Sequence, residues 1–559
     1  MRASLKVKAA VTAVTAALGL AACGGGGGTA GPAKAPDAQQ ILRINTGVQP
    51  NSLDPGQQTY DYEAMIGRQT FEALLKPAKT GTGLAGNAAS SWDVSADGLT
   101  VTFHLRENYY NDGVRVKAQD FVYGWQRILD PTLAAGYVDP FFDTIVKGAD
   151  TYGSLDPKAD AAKIPAFLAG LGLSAPDDNT FVVKLQHPAS WFLNVATLWV
   201  GAPIRKDVVD KYGANWSTVP AQVIGNGKYM VSELVANDHI TLVPNPHYKG
   251  DQTQLKKITV SFIADANTAF NQYKTGALDV LQIPIANTDV VKADPKLKNE
   301  YHVYPAPGGF WLTMNNKVAP FDNPKVRLAF AKAINRDALS AQVSHGQYKP
   351  VSTFIPEGVA GYDPSLGSIQ KYDPTAAKAA LDASGVKASD LQNLHFLIRD
   401  TTTNKLVGQY IQGQLQDHLG VKITLDVIDS KTVTQRLRKG DFQIYGPDGW
   451  GMDYAHPQDI MDIEITAGCH GVQFECYSNK AYDDLVTKGD NEKDLNAALK
   501  DYAQAEKLIV QDAPVGFLFN RPNWMLVKPY VQGITPTPYD ESVYLPGDQW
   551  TGTIYISQH

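Results

Sequence analysis

The chain has 559 residues, a formal net charge of −7 and three cysteines. A mildly acidic balance argues against a nucleic-acid binder and against a polybasic membrane patch. Residues 41–559 hold enough Val, Ile, Leu and aromatics for more than one hydrophobic core, so two or three lobes are expected.

The first segment, "MRASLKVKAAVTAVTAALGLAAC", places Arg2, Lys6 and Lys8 before an apolar run that ends in small residues. It reads as a secretory signal peptide over 1–22, too short and wrongly flanked for a stable membrane span. Its removal takes three positive charges and shifts the balance from −7 to −10. Leu20-Ala21-Ala22-Cys23 resembles a bacterial lipobox, which implies cleavage before Cys23 and a lipid on that residue. Ordinary cleavage near Ala22, with Cys23 incidental, is the alternative. Residues 23–40 open with "GGGGGTAGPAKAP", a flexible coil of roughly 20 Å mean reach.

Elements then follow in order. "GTGLAG", Gly81 to Gly86, matches G-x-G-x-x-G but follows no hydrophobic strand and opens no helix, so it reads as a surface turn. "LTVTFHLR" (99–106) alternates Val101, Phe103 and Leu105 with Thr102, His104 and Arg106, the two-residue period of a half-buried strand. "GNGKY", Gly225 to Tyr229, lacks the upstream Gly and the Ser/Thr of a phosphate-binding loop. "KKITVSF" (Ile258, Val260, Phe262) predicts a second strand. "DNPKVRLAFAKAINRDAL" predicts one helix, with Asp322 or Asn323 as cap, Pro324 in the first turn, and Val326, Phe330 and Ile334 on one stripe. "VKITLDV" (Val421, Ile423, Leu425, Val427) is strand-like. "DLNAALKDYAQAEKLIVQDAP" predicts a helix burying Leu495, Leu499, Tyr502 and Ile509 and ending at Pro514. Mixed strands and helices of this kind indicate an α/β architecture.

Between the last two lies "YGPDGWGMDYAHPQD", Tyr445 to Asp459. Asp453 has no cationic neighbour in sequence, and burying an unpaired carboxylate costs several kcal/mol. On the sequence alone a cap or turn role before "HPQDIMDI" is the simpler reading. Cys469 and Cys476, seven positions apart, most simply form a local disulfide in an oxidising compartment. A metal set of Cys469, His470, Cys476 and His456 is the alternative, without a recognised ligand spacing. Catalytic signatures such as H-E-x-x-H and G-x-S-x-G are missing, and the eleven histidines are scattered.

Collinear blocks resemble the oligopeptide- and dipeptide-binding branch of the solute-binding proteins of ABC importers. They are "TGVQPNSLDP" (Thr46 to Pro55), Leu84 to Pro131 with its D-F-V-Y-x-W helix, Gly225 to Gly250, Phe270 to Pro284, Phe310 to Leu339, the Asp453 motif, and "YVQGITPTP" (Tyr530 to Pro538). Tyr109 and Tyr110 stand where the family usually has Trp, a departure read as packing. The resemblance implies a periplasmic-binding-protein-like α/β fold, with two hinged lobes and a third packed on the first. The expected division is 41–66, 190–305 and 525–559 in lobe I, 67–189 in accessory lobe II, and 306–524 in lobe III. It also implies a monomeric, lipid-anchored receptor, not an enzyme and without a cofactor, that closes over short peptides and hands them to an ABC permease with its ATPases.

Trp450-Gly451-Met452-Asp453-Tyr454 matches the family's W-x-x-D-Y-like motif. By that resemblance Asp453 pairs with the peptide α-ammonium while Trp450 and Tyr454 wall the pocket. Tyr137 lies at a pocket-aromatic position, with core packing as the other reading. Arg436 and Arg438 lie near family arginines that meet a peptide carboxylate. A one-residue length difference blurs that match, Pro447 replaces another such Arg, and a solvated helix face is the plainer reading. Gln473 is a further candidate contact. Within the same fold, a metal chelate, opine or oligosaccharide is the alternative ligand. A secreted hydrolase or an adhesin is the alternative of a different class.

Overall fold

The computed structural model describes residues 32–559 apart from 82, 139–140, 252, 455, 470–472 and 538–542. Cys23, the signal peptide and most of the tether lie outside the described residues, as do His470 and Pro538.

The first lobe holds two sheets. Ile41–Asn45 runs parallel to Lys257–Ser261, which pairs antiparallel with His239–Pro244, itself paired with Tyr229–Val235. Beside it, Val280–Gln282 and Tyr301–Tyr304 flank Asn523–Val527. The accessory lobe carries an antiparallel sheet in the order Ala89–Val94, Thr100–Leu105, Thr180–Lys184, Leu173–Asp177. The predicted alternation appears there directly. Val101 and Phe103 are buried and face the helix Ala118–Ile128, whose Phe121 and Trp125 pack on Phe181 at ring separations of 5.9 and 5.4 Å. Asp54 of the S-L-D-P turn joins the two lobes. Its carboxylate takes both Arg127 terminal nitrogens, at 3.2 and 2.7 Å, and the Trp216 indole N–H at 3.3 Å.

The remaining lobe is built on a six-stranded sheet in the order Lys349–Pro350, Val515–Asn520, Gly308–Met314, Ile444–Gly451, Leu394–Arg399, Ile423–Ile428. The last two strands are parallel, so they need a crossover, and the helix Thr402–Leu419 supplies it. Thr401 caps that helix by accepting the Asn404 N–H, and left-handed Gly420 ends it.

Two helices differ from expectation. The segment 322–339 is not one helix but two, Pro324–Ala333 and Arg336–Ser344. The Asn335 side chain accepts the Ala338 N–H, and this local bond wins over continuation of the first helix. Val326, Phe330 and Ile334 are nonetheless all buried. In Leu495–Asp512 the buried face is Ala498, Tyr502, Ala505 and Ile509, while Leu495 is 41% exposed. Asp494 caps this helix from solvent, so the first turn projects past the core.

The chain crosses between the first and last lobes twice. One crossing runs from Tyr304 to Gly308 through Pro305, Ala306 and Pro307, the other from Asn520 to Asn523 through Arg521 and Pro522. Proline has no N–H to give a ladder, so the sheets cannot run on through either crossing. Asn520 Nδ2 ties the two together by donating to Ala306 O at 2.6 Å and Gly308 O at 2.9 Å.

The expected lobe boundaries therefore shift. The helix Asp61–Thr70 is continuous through position 66, and Trp191 to Val200 pack in the accessory core. Asn523 and Trp524 already pair in the first lobe.

The lobes touch on both flanks. On one flank the accessory lobe meets the last lobe. There the Ser190 N–H donates to Glu492 O at 2.8 Å, Trp191 Nε1 to Asp490 O at 3.0 Å, and Lys493 Nζ to Ala96 O at 2.9 Å. On the other flank, Gln347 Nε2 donates to Thr288 Oγ1 at 2.7 Å and Ile283 O at 3.2 Å.

Candidate ligand-binding site

Between the lobes runs a cleft with two adjoining cavities of about 430 and 560 Å³, which share Gln282, Phe310, Gly449 and Arg521 in their walls. The strand Ile444–Gly451 reaches the cleft from mid-sheet, paired antiparallel with Gly308–Met314. The strand ends at Gly451, so its alternation does not run on through Met452, Asp453 and Tyr454. Met452 is fully buried in the last lobe's core, and Tyr454 is buried in the accessory lobe's core with its ring 5.8 Å from Phe141. Gly451, Met452 and Asp453 line the smaller cavity. A Cβ on Gly451 would meet nothing within 4 Å, whereas one on Gly449 would stand 2.2 Å from Gly309 O. Gly449 is thus required by strand packing, while Gly451 leaves backbone open to the cavity.

Asp453 is 9% exposed. Its N–H donates to Asp459 Oδ2 at 2.9 Å, and its Oδ1 accepts the Tyr137 hydroxyl at 3.1 Å from across the cleft. Oδ2 is buried with no hydrogen-bond partner among the described residues. Burial above all, then the negative charges of Asp459 and Asp61, hold this carboxyl well above the usual carboxylate range. Tyr137 and Arg68 pull the other way. A cation entering the cavity would find an acceptor already stripped of water, with Asp61 in the same wall. Few groups suit that place as well as an ammonium.

The other expected residues divide. Tyr137 both packs and points inward: it stacks on Phe141 at 5.5 Å, meets Trp199 at 4.9 Å and donates to Asp453. Trp450 is half-buried against two cores and lines the cavity, and its Nε1 has no acceptor among the described residues. Tyr454 does not wall the pocket: its hydroxyl donates to Gln458 Oε1 and its ring is in the core. Gln473 lines neither cavity. It is 2% exposed, and its amide donates to the carbonyls of Glu464 and Ile465 while its oxygen takes the Tyr477 N–H, bracing a loop. Arg438 is exposed at the end of the helix Ser430–Arg438 and lines neither cavity, and Arg436 pairs with Asp441 and Asp426. Pro447 is in the wall of the larger cavity.

Cys469 and Cys476 are bonded to each other. His456 faces Ser190 Oγ at 3.1 Å and accepts the Gln458 N–H on Nδ1. Neither arrangement leaves a metal set, and no cluster suited to a metal ion occurs among the described residues.

Sequence reasoning missed Asp61, Gln282, Phe310, Arg399 and Arg521, all in the cleft walls. Arg521 has the clearest sequence signal: a cation beside proline in "FLFNRPNW", between two apolar strands.

Known proteins resemble this chain along most of its length. The periplasmic murein peptide-binding protein MppA of Escherichia coli K12 is 27% identical over 91% of this chain and 92% of its own length. The periplasmic oligopeptide-binding protein OppA of Salmonella typhimurium LT2 is 29% identical over 94% and 93%. The structure of Haemophilus influenzae OppA in complex with RPPGFSPFR superimposes with a TM-score of 0.76 at 26% identity, covering 93% of this chain and 100% of that one. The profile described as bacterial extracellular solute-binding proteins, family 5 Middle, matches residues 83–465. Members of that family are substrate receptors rather than enzymes. With the matched span exceeding half its length, this chain belongs to the family 5 bacterial extracellular solute-binding proteins.

Proposed function

We propose that the protein is an extracytoplasmic receptor, lipid-anchored at Cys23, that closes over short peptides and delivers them to an ABC permease. The observation that carries the ligand class is Asp453, a buried carboxylate in the cavity wall whose Oδ2 lacks a partner among the described residues. An α-ammonium is the one cation every unmodified peptide shares, so one such carboxylate recognises the class without reading sequence. Gly451 leaves main chain exposed beside it, and strand-like hydrogen bonds there would hold a peptide backbone without reference to side chains. Relatives whose names specify murein peptide and oligopeptide support the same reading. Contacts to both lobes are what would favour the closed state.

Calorimetric titration of the purified protein with trialanine and with N-acetyl-trialanine tests the reading. Trialanine should bind and the acetylated form should not. Equal affinity for the two would remove the amine from the recognition scheme.

A further inference from the structure

Arg521 stands at the return crossing between lobes and forms part of the wall of both cavities. Its guanidinium carbon lies over aromatic rings, 3.9 Å from the Phe310 centroid, 5.4 Å from Tyr348 and 5.5 Å from Phe519. Those rings stack on each other, Tyr348 on Phe519 at 4.0 Å and Phe310 on Phe519 at 5.6 Å, so the platform is rigid. Among the described residues no carboxylate ion-pairs with Arg521, and its Nε is buried with no acceptor. The titratable neighbours that act on it are the phenols of Tyr348, whose oxygen is within its hydrogen-bonding reach, and Tyr445. The other cleft arginine is already engaged: Arg399 donates to the Tyr445 hydroxyl at 2.9 Å, to Ser430 O at 3.1 Å and to Thr434 Oγ1 at 3.3 Å.

A half-buried cation without a counter-charge gains when an anion arrives to share the site. A guanidinium offers five N–H donors, and a carboxylate is the group that fills two of them at once. The rings beside Arg521 hold it at the junction of the two cavities.

We propose that Arg521 is the anion subsite of the cleft and binds a carboxylate of the ligand at the junction of the two cavities. Combined with Asp453 in the smaller cavity, it makes the preferred ligand a peptide with an amine at one end of that cavity and a carboxylate at the other. This builds on the amine reading above. The carboxylate comes either from the C-terminus of a very short peptide or from an acidic side chain near the N-terminus of a longer one. Both present the same chemistry to the guanidinium.

Calorimetry with four probes tests the proposal: Ala-Glu-Ala, Ala-Gln-Ala, and the C-terminal amide of each. Each is titrated into the wild type, Arg521→Met and Arg521→Lys, with a thermal melt to establish folding. Wild type should lose at least tenfold in affinity on removal of one carboxylate. The penalty in the amide series assigns the C-terminus, and that in the Gln series assigns the side chain. In Arg521→Met that penalty should fall below threefold, with Arg521→Lys between.

A merely structural role for the stacked arginine would weaken all four probes alike, and a carboxylate penalty unchanged in Arg521→Met overturns the proposal. If Arg521→Met does not fold, Arg521→Lys and wild type decide it, because wild type that ranks all four probes equally also overturns it. Failure of this subsite leaves binding of all four probes intact. Failure of the amine reading shows instead as equal binding of N-acetyl-Ala-Glu-Ala.

Discussion

Replacing Asp453 by asparagine separates recognition from stability. One carboxylate oxygen accepts from Tyr137 and the other has no partner among the described residues, and the whole residue is 9% exposed. Asparagine fills the same volume and can still accept from Tyr137 through its carbonyl, so the substitution removes mainly the charge. Truncating one member of a buried charge pair costs about 2–5 kcal/mol, which is about 30-fold to several-thousand-fold in dissociation constant. Peptide affinity should fall by that factor.

Stability should move in the opposite direction. Burial and Asp459 raise the folded pKa of Asp453 above its unfolded value, so the folded protein holds a proton that the unfolded chain releases. The resulting penalty exists above the unfolded pKa of about 4, grows by about 1.4 kcal/mol per pH unit up to the folded pKa, and disappears below both. Asp453→Asn should therefore melt higher than wild type at pH 7, with the gap closing as pH falls through about 4. Titration calorimetry with trialanine and melting curves across pH check both halves. A variant that binds within threefold of wild type, or that melts lower at pH 7, refutes the reasoning.

Tyr137→Phe deletes a donor to that carboxylate, worth about 1.5–3 kcal/mol when the acceptor is charged. Trialanine affinity at pH 7 should drop roughly tenfold or more, and it should recover at higher pH because losing the donor raises the pKa of Asp453 further. Burial holds His456 neutral and pushes it down to about 3. Stability tied to that neutral imidazole is present above the unfolded pKa near 6.5 and declines by about 1.4 kcal/mol per unit as pH falls toward the folded value. Urea unfolding of His456→Gln should show a correspondingly shallower loss between about pH 6.5 and 4.5, and an unchanged slope would contradict it. Replacing Cys469 and Cys476 together by serine opens a short loop and should cost about 2–3 kcal/mol in the loop-entropy model. Because neither cysteine lines a cavity, trialanine affinity should change less than the melting temperature suggests.

Much of the architecture was legible because local pattern and tertiary demand agree. Val101 and Phe103 alternate in the sequence and face one core in the structure, and Asp54 needed only its turn to be recognised. Asp453 was legible through its motif, but the roles of its neighbours were not. Past the strand end at Gly451, Met452 packs in one core and Tyr454 in another, and sequence does not say which side chains face a cleft assembled from another lobe. Gln473 looked available because polarity alone does not reveal that a buried loop uses its amide for carbonyls. Asp61 and Arg521 stand 460 positions apart in the chain and meet one cavity only because the chain crosses between lobes twice. No window of sequence contains that fact.

The hydrogen bonds from Ser190, Trp191 and Lys493 act outside the cleft and touch no ligand group. They favour the shut form by the same amount whether a tight or a weak peptide is inside. Apparent affinity scales with the fraction of molecules already competent to bind, so this flank works as a common gain control. Changes there would rescale every ligand's dissociation constant together and leave their ranking intact. Discrimination belongs to the cavity walls, and overall sensitivity to a latch built elsewhere, so the two can diverge independently.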